Sequence, residues 1–235
     1  MPILPRLSRA LRRFATEPAY RAVWRLRLTG AAGTMQPYNR TRADRYPVIF
    51  RRAAEILGDG EDRRILSFGC STGEEAFSLR RYFPQAFILG VDINPGNIAI
   101  CERQLRKAPD PHLRFAVAAS TQGEPDASFD AIFCMAVLRH GALGKPGVTR
   151  SDPLLPFARF AQMTEDFARC LKPGGLLVIR HSNFRFADAP AYAQFDALPP
   201  VRLPDRPGRT PLFGPDNILL PGAIYEEALF RKRPC

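Results

Sequence analysis

The chain is short of the residues that mark metal, disulfide and membrane proteins. It has three histidines and five cysteines in 235 residues. Cys70, Cys101, Cys134, Cys170 and Cys235 are widely spaced, with no CxxC and no histidine cluster beside them. That pattern excludes a recognisable zinc site, so no metal ligand is assigned, and it suits a reduced, intracellular setting in which thiols stay free. No apolar run approaches the roughly 18 residues of a membrane span. A secretory signal is not expected, since no charged start leads into an uninterrupted apolar core. The arginine-rich, acid-poor start also describes organelle transit peptides. Internal repeats and low-complexity tracts are absent. What remains is a chain long enough to bury a proper core, expected as one domain with N-terminal helices.

Acid is scarce in one place. Residues 1–52 contain twelve arginines against Glu17 and Asp44, which is +10 of the total +11. Ile3, Leu4, Leu7, Leu11 and Phe14 recur there at helical spacing, with Arg6, Arg9, Arg12 and Arg13 between them. AYRAVWRLRL carries Val23, Trp24 and Leu28 in a second helix. Such helices either pack their apolar stripe on the rest of the protein or lie on an anionic membrane surface. QPYNRTRADRYP (36–47) follows, polar and rich in turn formers, and VIFRRAAEIL makes the next helix. Nucleic acid is not the expected partner.

The chain is organised around ILSFGCSTGEEAFSLRRYF, residues 65–83. Ile65, Leu66 and Phe68 read as a strand covered on both faces. Gly69 and Gly73 bracket a tight turn where the missing Cβ lets backbone approach a ligand. Ser71 and Thr72 are placed to cap the following helix, with Glu74 and Glu75 in its first turn. A dinucleotide fingerprint needs G-x-G-x-x-G, which from Gly69 requires glycine at 71 and 74. Ser71 and Glu74 stand there instead, and two carboxylates at the helix start repel a pyrophosphate. S-adenosylmethionine (SAM) carries an ammonium and a sulfonium and no phosphate, so it suits an acidic, glycine-bounded turn. An ordinary charge-capped turn is the plainer alternative.

The downstream pattern repeats strand and helix. FILGVDIN (87–94) is a strand ending in Asp92, whose carboxylate is placed to accept from both ribose hydroxyls. Strands follow at 112–117, 129–138 and 176–182, with a helix around 154–171 stopped by Gly174 and Gly175. This alternation predicts an α/β fold with a doubly wound sheet. Residues 183–222 are dense in proline and read as an irregular arm, which cannot be regular helix or central strand. AIYEEALFRKR reads as an antiparallel last strand.

GCSTGEEAFSL, GVDIN, FDAIFCMAVL and LKPGGLLVIRHS fall in the order and spacing of a known family. Over about residues 62–182 the chain resembles the class I SAM-dependent methyltransferases, and its core is similar to the catalytic domain of the chemotaxis-receptor (CheR-type) methyltransferases. The resemblance implies a Rossmann-like, mostly parallel seven-stranded sheet with an antiparallel last strand, residues 53–235 forming the SAM-binding domain and residues 1–52 its basic helices and lid. It implies Gly69, Cys70, Ser71, Gly73 and Glu74 at the methionine end, Asp92 and Ile93 at the ribose, and Ser120 and Cys134 nearby. The family's acidic residue two positions before the first glycine is Ser67 here, and the Asp often found near the third strand is missing. Acceptors enter at the carboxyl ends of the fourth and fifth strands, where His140 and His181 are the candidate bases and Arg139, Arg180 and Arg185 can meet an anion. Tyr38, Asn39, Arg40 and Arg42 are the candidate lid contacts to substrate. Either histidine can equally be a hydrogen-bonded structural residue. No [DN]-P-P-[FYW] motif follows the fourth strand, which disfavours methylation of DNA-base amino groups. The expected function is methyl transfer to O or N of a small-molecule or lipid-like acceptor, in the cytoplasm or at a membrane surface. The alternatives are a protein carboxyl methyltransferase or a non-catalytic scaffold.

Overall fold

The computed structural model describes residues 11–29, 35, 36, 41–201 and 210–234. Its centre is a seven-stranded sheet in the order β3-β2-β1-β4-β5-β7-β6. The strands are β1 (Arg64–Phe68), β2 (Phe87–Asp92), β3 (Leu113–Val117), β4 (Phe129–Met135), β5 (Leu171–Arg180), β6 (Phe195–Ala197) and β7 (Leu229–Lys232). The helices are α1 (Pro18–Thr29), α2 (Pro47–Leu57), α3 (Glu74–Leu79), α4 (Pro95–Lys107) and α5 (Phe157–Cys170). β1 to β5 pair in parallel, and β7 runs antiparallel to both β5 and β6. The order reverses between β1 and β4, which is where open α/β sheets leave a crevice at their carboxyl edge.

Alternation along the central strands splits the core into two faces. Leu66, Phe68, Ile132, Cys134, Leu177 and Ile179 point to the side covered by Phe160, Met163 and Phe167 of α5. Ile65, Ala131, Phe133, Leu176 and Val178 point to the other, against Ile49, Phe50 and Ala53 of α2 and Ala76 and Leu79 of α3. All seven residues of β4 are buried, as expected of a strand covered on both faces. Phe133 packs near edge-on to Phe50 and Phe83, with ring centres 5.6 and 6.4 Å away. Such pairs add roughly 0.5–1.5 kcal/mol beyond their area.

Several expectations are corrected. β4 ends at Met135 rather than 138, because Ala136 turns into a left-handed conformation (φ 61°). β5 begins at Leu171, directly after α5. Lys172–Gly175 make an irregularity between the pairs Phe129–Leu171 and Ala131–Leu176. The helix-stopping glycines therefore lie inside the strand, not before it. The proline-dense arm holds two 3-10 turns (Phe186–Asp188 and Pro190–Gln194) and the short edge strand β6. Its Phe184, Phe186 and Phe213 are fully buried in the α5-side core. Asn183 ties it down: its Nδ2 donates to the Pro211 carbonyl and its Oδ1 accepts from the His140 amide. The closing strand is only Leu229–Lys232, four residues of the expected eleven.

Candidate functional site

A cleft of about 1020 Å³, counted with the open solvent at its mouth, lies at the carboxyl edge of β1, β2 and β4. One wall is the β1–α3 turn, with Gly69, Cys70, Ser71 and Glu75; another is the β2–α4 turn, with Asp92, Ile93, Asn94 and Asn97. Ala118 and Ala119 after β3, Met135 at the end of β4 and Ala136 and Val137 beyond it complete the floor. The N-terminal segment closes the far side through Val23, Met35, Gln36, Thr41, Arg42, Arg45 and Tyr46.

Asp92 organises the two turns. Its carboxylate accepts from the Ser71 amide (2.9 Å), the Asn94 amide (2.8 Å) and Asn97 Nδ2 (3.0 Å). Burial pushes its pKa up, against the pull of these donors. Two of the three bonds end on Oδ1 and one on Oδ2, which leaves one open acceptor position by lone-pair count. Direct acceptance from both hydroxyls of a ribose is more than that one position provides.

The glycines are needed for a different reason from the one the sequence suggests. Gly69 has φ +72°, and a Cβ there would sit 2.3 Å from Val137 Cγ2. Gly73 has φ +96°, and its Cβ would meet Phe77 Cε2 at 2.8 Å and Cys101 Sγ at 3.1 Å. Both positions are closed by the protein's own side chains. Gly73 is itself the N-cap of α3, with no side-chain cap. The expected capping by Ser71 and Thr72 is not present, because Thr72 Oγ1 donates instead to the Glu74 carboxylate.

That bond also holds Glu74 away from the cleft, and Glu75 lines it. Ser67 Oγ donates to Glu75 Oε1 at 2.7 Å. Burial pushes the Glu75 carboxyl up to about 8, against the Ser67 hydrogen bond and the positive charge of Arg45. The unfolded carboxyl loses its proton near its ordinary value, so between there and about 8 the folded state holds the extra proton. Stability contributed by this site therefore falls as pH rises through that window, by at most about 1.4 kcal/mol per pH unit. Glu75→Gln is expected to flatten that slope, as measured by urea unfolding between pH 5 and 8.

Three buried polar atoms on the cleft lack a hydrogen-bond partner: Gln36 Oε1, Ser71 Oγ and Asn94 Nδ2. Buried polar atoms are ordinarily satisfied, and leaving one unpaired costs about 1–3 kcal/mol. On one cleft, they are placed to hydrogen-bond a polar ligand or water that enters it. Backbone strain gathers there too. Ser71, Ala136 and His181, just past β1, β4 and β5, all have left-handed φ (53°, 61° and 56°) without being glycine.

The remaining expected site residues lie outside the cleft wall. Ser120 accepts from the Gln122 amide at 3.4 Å, and its neighbours Ala118 and Ala119 do the lining. Cys134 is fully buried beneath the floor, its thiol pKa raised by burial and then by the Glu75 charge. His140 caps the 3-10 turn Gly141–Gly144, its Nδ1 accepting from the Ala142 amide. Burial, then Lys145, lowers its pKa. The His181 ring packs 5.8 Å from the ring of Tyr46, one layer behind the wall. Arg139 is half-buried beyond Val137. Tyr38, Asn39 and Arg40 lie outside the described residues, while Arg42 of the same segment does line the cleft. Sequence reasoning missed Asn94, Asn97, Arg45 and Tyr46. Asn94 was discoverable as the residue before Pro95, where its Oδ1 accepts from the Gly96 amide as an N-cap.

Residues 66–179 match the family described as a methyltransferase domain. Demethylmenaquinone methyltransferase of Deinococcus radiodurans is 32% identical over 54% of this chain and 46% of its own length. Trans-aconitate 2-methyltransferase of Methylobacterium nodulans is 30% identical over 55% and 43% respectively. The chain spans about half the length of the curated relatives it matches. Among solved structures, geranyl diphosphate C-methyltransferase from Streptomyces coelicolor A3(2), in complex with Mg2+, geranyl diphosphate and S-adenosyl-L-homocysteine, is 18% identical. It covers 57% of this chain and 43% of its own, with a TM-score of 0.43, a distant likeness that carries no argument about substrate. The sheet order bears out the expected Rossmann-like fold, and over residues 66–179 the core is similar to a methyltransferase domain, for which SAM is the expected cofactor. The unpartnered atoms and the acidic wall are compatible with it.

Proposed function

We propose that the protein transfers the SAM methyl group to O or N of a small-molecule or lipid-like acceptor. The observation that carries this reading is the set of unpartnered atoms around Asp92 and Glu75. In this reading Glu75 receives the ammonium of the methionine end, Ser71 Oγ meets its carboxylate, and Asp92 Oδ2 accepts from one ribose hydroxyl. Asn94 Nδ2 donates to the other, making up what the Asp92 carboxylate lacks. Ala118 and Ala119 lie against the adenine. Bound SAM supplies a carbon already activated by its sulfonium, so the protein's share is alignment and exclusion of water. Met35, Gln36, Arg42 and Arg45 form the acceptor side, with residues 1–52 acting as lid and 53–235 as catalytic domain.

Because the ammonium favours ionised Glu75, binding below pH 8 releases a proton, and affinity rises with pH toward that value. His140 and His181 lie behind the wall, so His140→Ala and His181→Ala are expected to leave SAM affinity within about twofold. Calorimetry with SAM and S-adenosylhomocysteine tests the whole reading: no heat with either ends it.

A second reading, transfer to a protein carboxylate as in chemotaxis-receptor methyltransferases, draws on GCSTGEEAFSL and on the two cleft arginines, Arg42 and Arg45, which suit an anion. Carboxylate acceptors need no base. Methyl label from SAM that appears on protein and leaves as methanol in mild alkali supports this reading; label in alkali-stable small molecules supports the first.

A further inference from the structure

Residues 11–16 are helical and meet α1 in a braced joint. Arg21 Nη1 donates to the carbonyls of Phe14 (3.0 Å) and Ala15 (2.9 Å), tying off the open end of the first helix. The Arg13 guanidinium holds Glu17 with three bonds of 2.9–3.0 Å and lies 4.5 Å over the Tyr20 ring. Tyr20 in turn packs edge-on to Trp24 at 6.5 Å. Glu17 is the sole acidic residue before Asp44, and Arg13 engages it, so the field of this segment is positive.

The outer surface of the joint is apolar as well as basic. Leu11 is 66% exposed, Phe14 46% and Trp24 40%. Three of the seven exposed large apolar side chains among the described residues thus fall within these 14 positions, and the other four are scattered. Leu11, Phe14 and Trp24 therefore do not pack on the catalytic core, while Ile3, Leu4 and Leu7 lie outside the described residues. α1 instead docks through Ala22, close against Gly96 at the start of α4, and turns Val23 into the cleft. Trp24, one residue on, faces solvent.

We propose that residues 11–25 form a docking surface for an anionic lipid bilayer, seating the cleft mouth beside the headgroups. Arginines flanking exposed Leu, Phe and Trp match a surface that is negative outside and apolar just beneath. A nucleic acid offers the charge without the apolar layer that Leu11 and Phe14 would enter. This goes beyond the proposed activity and does not depend on it, since partition onto vesicles requires no methyl transfer.

Trp24 is the one tryptophan in the chain, so fluorescence excited selectively at tryptophan, beyond the tyrosine band, reports on this surface alone. Full-length protein is titrated with phosphatidylcholine vesicles with and without about one-third phosphatidylglycerol, and bound protein is measured by sedimentation. The expected result is a blue shift and sedimentation with anionic vesicles, little with neutral ones, and loss in high salt. Leu11→Glu and Phe14→Glu are each expected to weaken partition about tenfold or more, since each replaces a buried apolar contact by a repelled charge. Circular dichroism of each variant confirms that it remains folded. No shift with anionic vesicles, undiminished partition of the folded variants, or binding to duplex DNA while vesicles leave Trp24 unchanged would overturn the proposal.

Discussion

Asp92→Ala is expected to abolish SAM binding and to destabilise the free protein. The carboxylate accepts from the amides of Ser71 and Asn94 and from the side chain of Asn97, and alanine removes that acceptor from all three. A hydrogen bond to a charged group contributes roughly 1.5–3 kcal/mol, offset here by the burial that raises the Asp92 pKa. A net loss of about 2–4 kcal/mol is therefore expected in urea unfolding. Cofactor affinity should fall by more than about a hundredfold, because the left-handed Ser71 loses the bond that fixes it. Asp92→Asn distinguishes the roles: one amide oxygen retains part of the bonding, so stability should recover further than affinity. Normal SAM binding by Asp92→Ala would remove the ribose assignment.

Gly73→Val should cost more. At φ +96° a β-branched residue is strained before any contact is made, and the first added carbon already falls 2.8 Å from Phe77 and 3.1 Å from Cys101. Neither neighbour has room to retreat, since Phe77 packs on Phe115 and Cys101 is fully buried. The expected outcome is a loss of about 4 kcal/mol or more, with no measurable SAM binding and little soluble protein. Gly73→Ala gives a graded result, with the same backbone strain and less overlap. A Gly73→Val protein that melted like its parent would show that the β1–α3 turn has another conformation.

The sheet was legible because its strands are short apolar runs punctuated by glycine, proline and asparagine, and because β4 is buried along its whole length. The β1–α3 turn was legible for the same reason. Which of two adjacent glutamates faces the cleft was not. Glu74 and Glu75 differ by 100° around the helix, and that choice is made by Thr72 holding one and Ser67 the other. Ser67, read as an absent acid, receives its acid from eight residues downstream. The arm was misread in part because proline density forbids helix and central strand but permits an edge. β6 runs for three residues there, and the phenylalanines around it bury as deeply as any in the core. Nothing local in the sequence announces that burial.

The thin seam between Ala22 and Gly96 makes the cleft partly a borrowed structure. With Val23 in its wall, a protein trimmed to residue 30 would keep every strand and every turn around Asp92 and yet leave its guest leaking from one side. Shortened forms would then show faster ligand escape with arrival little changed, and anything that grips Trp24 acts one residue away from Val23 in that wall.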